Sequence, residues 1–305
     1  MPEYEITEAD RRPLPARHAT EHRYLGYRAE ESSSPFAHYF EPTVRPVQEH
    51  VLDALLSGRS PQEFGYEVDD AVSRLSAPGH HHMETGWTRT GKGTLVVACR
   101  TDMPGVTARM WDWWFGWHSR DSARYKLWHP DAHQFCAVAE DRGADRALTD
   151  RQRYHGNVSY VDEYIGGALL RLAIRFVDPA RLGFADTPGT THICALVGVS
   201  DLPVATGWFV HQVRPTDEGV EMRSRFFLGD SRILDLPAHS VSSPTAARLL
   251  TSPAGQVALA PAVAVAGRRA MGDSLGPDLL RHCAAEMNHL AGFLPKLHEE
   301  FGDLP

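Results

Sequence analysis

Residues 282–289 read His282-Cys283-Ala284-Ala285-Glu286-Met287-Asn288-His289, within a stretch whose amphipathic spacing predicts one long helix from Pro277 to about Phe301. Gly276 and Asp278 support a start at that point. Positions i and i+4 of a helix stack on one face, so His282 and Glu286 can reach one metal ion. Imidazole nitrogen and carboxylate oxygen both suit zinc, and also iron or manganese. With 17 histidines in the chain, about one such pair arises by chance, and His80 with Glu84 is a second instance. The terminal pair gains its weight from what lies upstream.

Upstream of that helix the period changes from helical to alternating. A short buried strand is expected at 94–100, then a helix opening at Pro104 and running to His118. Strand-like stretches follow at 125–128, 158–165, 169–176, 192–199, 207–214 and 220–228. Residues 240–275 are rich in Ala, Pro and Val and receive no assignment. Consecutive antiparallel strands followed by one terminal helix predict an α+β fold, a sheet curled around that helix in a helix-grip arrangement with a deep cavity between them. Residues 1–45 form a polar arm without a core of its own, expected to wrap the body or a second subunit. Helices are expected at 46–56, with Pro46 in the first turn, and at 61–75.

Composition narrows the partners. A net charge of −8 disfavours nucleic acid and an anionic membrane surface. No apolar run approaches the roughly 20 residues of a membrane span, and the first residues lack the basic and apolar parts of a secretory signal. A cytoplasmic protein is the expectation. Cys99, Cys136, Cys194 and Cys283 show no metal-knuckle spacing and read as buried thiols. Zincin, nucleophile-elbow and dinucleotide motifs are missing from the sequence.

Several residues outside the terminal helix can carry chemistry. Alternation along 158–165 puts Glu163 on one face with Val161 and Ile165, where a buried carboxylate needs a compensating charge. The opposite choice buries Tyr160, Asp162 and Tyr164 and leaves Glu163 in solvent. His211 shares a face with Phe209 and Val213, either as a hydrogen-bonded core residue or as a group in the cavity. His129 and His133 flank Pro130, which prevents one helix from carrying both, so at most one of them is a ligand. Tyr125 is expected in a strand and can offer a phenol. Trp113 and Trp117 belong to an aromatic cluster that suits either a core or a pocket wall. His80-His81-His82 reads as a surface run, and Arg223 and Arg225 as a solvated strand face.

The segments Met103-Pro-Gly-Val-Thr107, Trp113-Trp-Phe-Gly-Trp-His118, Arg124-Tyr-Lys-Leu-Trp-His-Pro-Asp-Ala-His133, Glu221-Met-Arg-Ser-Arg-Phe-Phe-Leu-Gly-Asp230 and His282-Cys-Ala-Ala-Glu-Met-Asn-His-Leu290 resemble the 2,4-diacetylphloroglucinol hydrolase family, which includes phloretin hydrolase. The resemblance covers about residues 85–301. It implies a hydrolase acting on carbon–carbon bonds in ketonic substances, removing an acyl group from a polyhydroxylated ring. It also implies a helix-grip catalytic domain at 86–305 and an N-terminal arm and helical region at 1–85 that pairs two copies into a homodimer. The implied zinc ligands are His133 (rather than His129), Glu163, His282 and Glu286, with Glu163 also the candidate base. Tyr125 and His211 fall in the implied substrate pocket, and Phe226 stands where the family has a second tyrosine. Cys136 likewise replaces an expected polar residue. Trp113 and Trp117 are the expected pocket wall. Two other readings remain: a carrier of a hydrophobic polyketide or lipid on the same fold, and a metal-dependent polyketide cyclase or decarboxylase.

Overall fold

Residues 2–303 are described in the computed structural model. The N-terminal part holds four short helices, α1 Glu8–Arg11, α2 Ala16–Thr20, α3 Glu49–Ser57 and α4 Ala71–Ser76. Then follow β1 Gly86–Arg89, β2 Leu95–Pro104, α5 Ala108–His118, α6 Ser122–Trp128, β3 His133–Val138 and α7 Asp150–Tyr154. Five long strands come next: β4 Val158–Ile165, β5 Ala168–Val177, β6 Thr191–Val199, β7 Val204–Pro215 and β8 Gly219–Ile233. The chain closes with α8 Pro244–Thr251, α9 Pro253–Ala270, α10 Leu275–Ala291 and α11 Leu294–Phe301.

The strands form one antiparallel sheet in the order β1-β2-β8-β7-β6-β5-β4-β3. α10 packs against β1 and β2 near one edge and against β4 near the other. A single helix touches both flanks only if the sheet curls around it. The tight β4–β5 hairpin pairs Ile165 with Ala168 across Gly166-Gly167, with Gly166 at φ 59°. A side chain at Gly166 would meet the Asp278 carboxylate of α10 at 2.5 Å, so glycine is what lets the hairpin close onto the helix.

Alternation sorts each strand between two faces. On β8, Phe226 and Leu228 join the core that holds α5 and α10, while Phe227 joins a second cluster on the back of the sheet with Tyr66, Leu75, Leu196, Trp208 and Leu236. Arg223 and Arg225 lie on that back face, fully buried, and both pair with Glu84. Their expected solvated face is therefore corrected: residues 60–84 cover it. The hydrogen bonds and charges of the two arginines outweigh the burial of Glu84, which alone would raise its pKa, and bring the carboxyl down to about 2.

Several other expectations are corrected locally. The terminal helix is two helices, because Pro295 in the first turn of α11 cannot continue a helix and Phe293 bridges the break. Tyr125 lies on a helix rather than a strand; Asp121 caps α6 by accepting a hydrogen bond from Ala123 N at 2.8 Å. Pro104 ends β2, and α5 begins after Thr107, whose hydroxyl accepts from Met110 N. The first helix after the arm starts at Glu49, beyond Pro46, and 61–75 holds two 3-10 turns before α4. The unassigned 240–275 contains α8 and α9.

The N-terminal arm lies on the body of its own chain. Arg23 pairs with Asp162 at 2.9 Å, Lys126 with Glu31 at 2.7 Å and Arg175 with Asp10 at 2.8 Å. No single helix among the described residues is long and apolar enough to cross a membrane.

Candidate active site

Four ligand-type side chains converge where α10 faces β3 and β4. His282 and Glu286 come from successive turns of α10, His133 from the start of β3, and Glu163 from the strand position opposite it. His133 Nε2 stands 3.6 Å from Glu163 Oε2 and 3.5 Å from Glu286 Oε2. His282 Nε2 stands 3.9 Å from Glu163 Oε1 and 3.7 Å from Glu286 Oε2. Donors about 2.1 Å from a zinc ion in a tetrahedron would sit roughly 3.4 Å apart, close to this spacing. His133, Glu163 and His282 already offer three donor atoms within 4.8 Å of one another, a buried group that could hold a metal ion.

The electrostatics fit a cation. His133 Nδ1 hydrogen-bonds the Tyr125 carbonyl at 3.0 Å, so it carries the proton and leaves the Nε2 lone pair facing the cluster. That Nε2 is buried and has no hydrogen-bond partner. His282 is likewise held by the backbone at Tyr164. Burial, with His282 and His129 adding to it, keeps His133 well below the usual histidine range. Burial and the neighbouring Glu163 push Glu286 well above the usual carboxylate range. A divalent ion would relieve both penalties, since it favours a neutral imidazole and an ionised carboxylate together. Neither Glu286 nor His129 is among the three donors within 4.8 Å of one another. Glu286 Oε2 nevertheless stands 3.5 and 3.7 Å from the two imidazole Nε2 atoms, whereas His129 only packs its ring on His282 at 4.9 Å and on His133 at 5.6 Å.

Glu163 and Asp162 divide the two faces of β4: Glu163 turns inward beside Val161 and Ile165, while Asp162 turns to Arg23 of the arm. Both are buried, but only Asp162 has a counter-charge in the protein. Tyr125 stacks on His133 at 3.8 Å, and its phenol donates a hydrogen bond to Glu163 Oε2. Burial and Glu163 raise the Tyr125 pKa well above the usual range, so the phenol keeps its proton.

Beside this group runs a cavity of about 410 Å³ along the concave face of the sheet. One end is aromatic, walled by Phe115, Trp128, Phe176, Phe209 and Phe226. The other is aliphatic, lined by residues such as Leu170, Leu172, Val199 and Leu275. His211 faces the aromatic end, its Nδ1 2.8 Å from Ser224 Oγ; burial lowers its pKa to about 3. Trp113 and Trp117 do not line the cavity. They stack on each other at 5.0 Å and pack toward His298, Phe36 and Phe301, on the opposite side of α5. Their expected place is taken by Phe115 and His118, one helical step away, and by Trp128. Cys136 is buried behind the wall against Ser119 and Ser159.

Residues 64–299 match the DAPG hydrolase PhiG domain. The chain belongs to this family. It is 30% identical over 287 residues to the 2,4-diacetylphloroglucinol hydrolase of Pseudomonas protegens, covering 92% of this chain and 88% of that one. The enzyme of the same name from a Pseudomonas species is 30% identical over 287 residues, with 92% of each chain covered. Phloretin hydrolase of Eubacterium ramulus is 30% identical over 211 residues, covering 67% of this chain and 76% of that one. By name these relatives are hydrolases of acylated phenols.

Proposed function

We propose that this family member is a zinc-dependent hydrolase that cleaves the carbon–carbon bond between an acyl group and a polyhydroxylated aromatic ring. The observation that carries the reading is the partnerless Nε2 of buried His133, facing two carboxylates and a second imidazole in the wall of an aromatic cavity. The names of the relatives supply the substrate class, acylated phloroglucinols and phloretin-like ketones. The fold is read as a helix grip, and residues 1–85 as the region through which two copies pair.

Zinc held by His133, Glu163, His282 and Glu286 would polarise the ketone and lower the pKa of water at neutral pH. In the overall reaction the hydroxyl of water joins the acyl carbon and a hydrogen joins the ring carbon. An aryl carbanion is too poor a leaving group, so the ring carbon must be protonated first, which ortho hydroxyls allow through the keto tautomer. Tyr125, protonated and hydrogen-bonded to Glu163, is the group able to pass a proton between substrate and carboxylate. Glu163 is the base that takes up the proton of the water and, through Tyr125, supplies one to the ring carbon. His211, neutral and fixed by Ser224, holds a phenolic oxygen. The apolar walls exclude bulk water and strengthen each of these contacts. The Phe226 ring fills the wall without contributing a polar atom.

The test is metal content by elemental mass spectrometry on untagged protein, followed by product analysis on an acylated phloroglucinol. About one zinc per chain and release of the free carboxylic acid are expected. A bound ketone recovered intact, with no metal, would turn the reading to a ligand carrier; a cyclised or decarboxylated product would turn it to the other enzyme classes.

A further inference from the structure

His118 is not used by the chemistry above, yet it lines the same cavity. It ends α5 and is 3% exposed, stacked on Trp114 at 4.8 Å and edge-on to Trp128 at 5.2 Å. Its Nδ1 lies 2.7 Å from the Trp114 carbonyl oxygen, which can only accept. Nδ1 therefore carries the proton, and Nε2 presents a lone pair on the opposite side of the ring. Among the described residues, the hydrogen bond of the His118 ring is made through Nδ1 alone. His211 has the same construction, its ring hydrogen-bonded among the described residues through Nδ1 to Ser224 alone. Phe115 packs against both imidazoles, 5.4 Å from His118 and 6.4 Å from His211 by ring centroids.

We infer that His118 Nε2 is a binding subsite for a second phenolic hydroxyl, so that the cavity selects rings with two free hydroxyl groups, one taken by His211 and one by His118. The inference rests on reading the cavity as an acyl-phenol site and adds the residue that counts hydroxyls. A bound ring cuts a cavity-lining acceptor off from water, which costs free energy unless an O–H of that ring donates to it. A ring methyl ether offers no donor and leaves it in place. Burial lowers the His118 pKa to about 3, so the ring stays a neutral acceptor across the working range. His211 differs in one respect: Ser224 Oγ both donates and accepts, so His211 can meet its hydroxyl as donor or acceptor.

Equilibrium binding of resorcinol, 3-methoxyphenol and phenol tests this without turnover, by calorimetry on the full protein. Wild type should bind resorcinol about five- to tenfold more tightly than either of the others, the worth of one hydrogen bond. His118→Phe keeps the stack on Trp114 and should bring resorcinol to the level of phenol, with phenol itself little changed and metal content intact. Equal binding of all three by wild type overturns the subsite and leaves the acyl-phenol reading standing. A His118→Phe protein that keeps the resorcinol preference overturns it as well. No binding of any of the three overturns the subsite together with the reading beneath it. Should the variant fail to fold, the comparison of resorcinol with 3-methoxyphenol on wild type still decides.

Discussion

Two groups of buried ionisable side chains lie on opposite faces of the same sheet, and they are built in opposite ways. On the back face, Glu84 meets Arg223 and Arg225, and the Arg223 guanidinium also bonds Gln212 and the Leu75 carbonyl. Charge is compensated within the protein. On the cavity face, two carboxylates and two imidazoles converge without a cation among them, and His133 Nε2 has no partner. Burial is comparable in the two places, so burial alone does not mark function. What marks it is the missing counter-charge, since a buried ionised group persists only when something pairs with it. The first group is complete as folded; the second could hold a metal ion.

The largest separation is expected in activity. Glu286→Gln keeps the shape of the cavity group but removes one ligand charge, and should lower both metal content and turnover more than about a hundredfold, beyond what loss of a ligand's hydrogen-bond partner costs. Full metal with wild-type turnover would erase the distinction between the faces. The two neighbouring histidines sharpen it further. His133→Ala should lose the metal, whereas His129→Ala, whose ring packs on His282 and His133 outside the donor group, should retain most of it; equal retention measured by elemental analysis would remove the reason for choosing between them.

On the back face the loss should appear in stability. Glu84→Ala leaves two buried guanidinium groups without their carboxylate and should cost about 3–5 kcal/mol in denaturant unfolding, while metal per folded chain is unchanged. A cost near zero would show that water or Gln212 replaces Glu84. The smallest effect is on pH. Because Glu84 titrates near 2 when folded, below an ordinary carboxyl at about 4, its contribution is fully present above that ordinary value. It is lost as pH falls from about 4 toward 2, and the Glu84→Ala protein should show a flatter stability profile over that window. Parallel profiles would sink the assignment.

Much of this contrast was readable along the chain, and the reason differs by element. The strand at 158–165 shows its alternation, which groups Glu163 with Val161 and Ile165 but leaves open whether that face or the one with Tyr160, Asp162 and Tyr164 turns inward. Helical spacing puts His282 and Glu286 on one face, and the motifs upstream distinguish that pair from His80 and Glu84. Tyr125 reached the site on a helix of seven residues, too short for its period to show, although Asp121 was a capping signal. Phe115 and His118, three apart on one helix face, could have been separated from Trp113 and Trp117 by the same period. An all-apolar helix surface hid which face turns inward. Arg223 and Arg225 were misplaced because β8 alternates between two buried faces, and alternation says nothing of what covers the second.

The sequence by itself determined local features: the alternation of β4 without its inward face, the i, i+4 pair on α10, and a motif set specific enough to name a family. The spacing from Pro277 to Phe301, by contrast, reads as one helix where Pro295 makes two. Only the tertiary structure decided that His133 rather than His129 joins the donor group, that Glu163 has no counter-charge while Asp162 has Arg23, and that Glu84 completes the back of the sheet. The physical reason is range. Periodicity and capping act between residues a few positions apart, whereas compensation of a buried charge depends on groups brought together from distant parts of the chain.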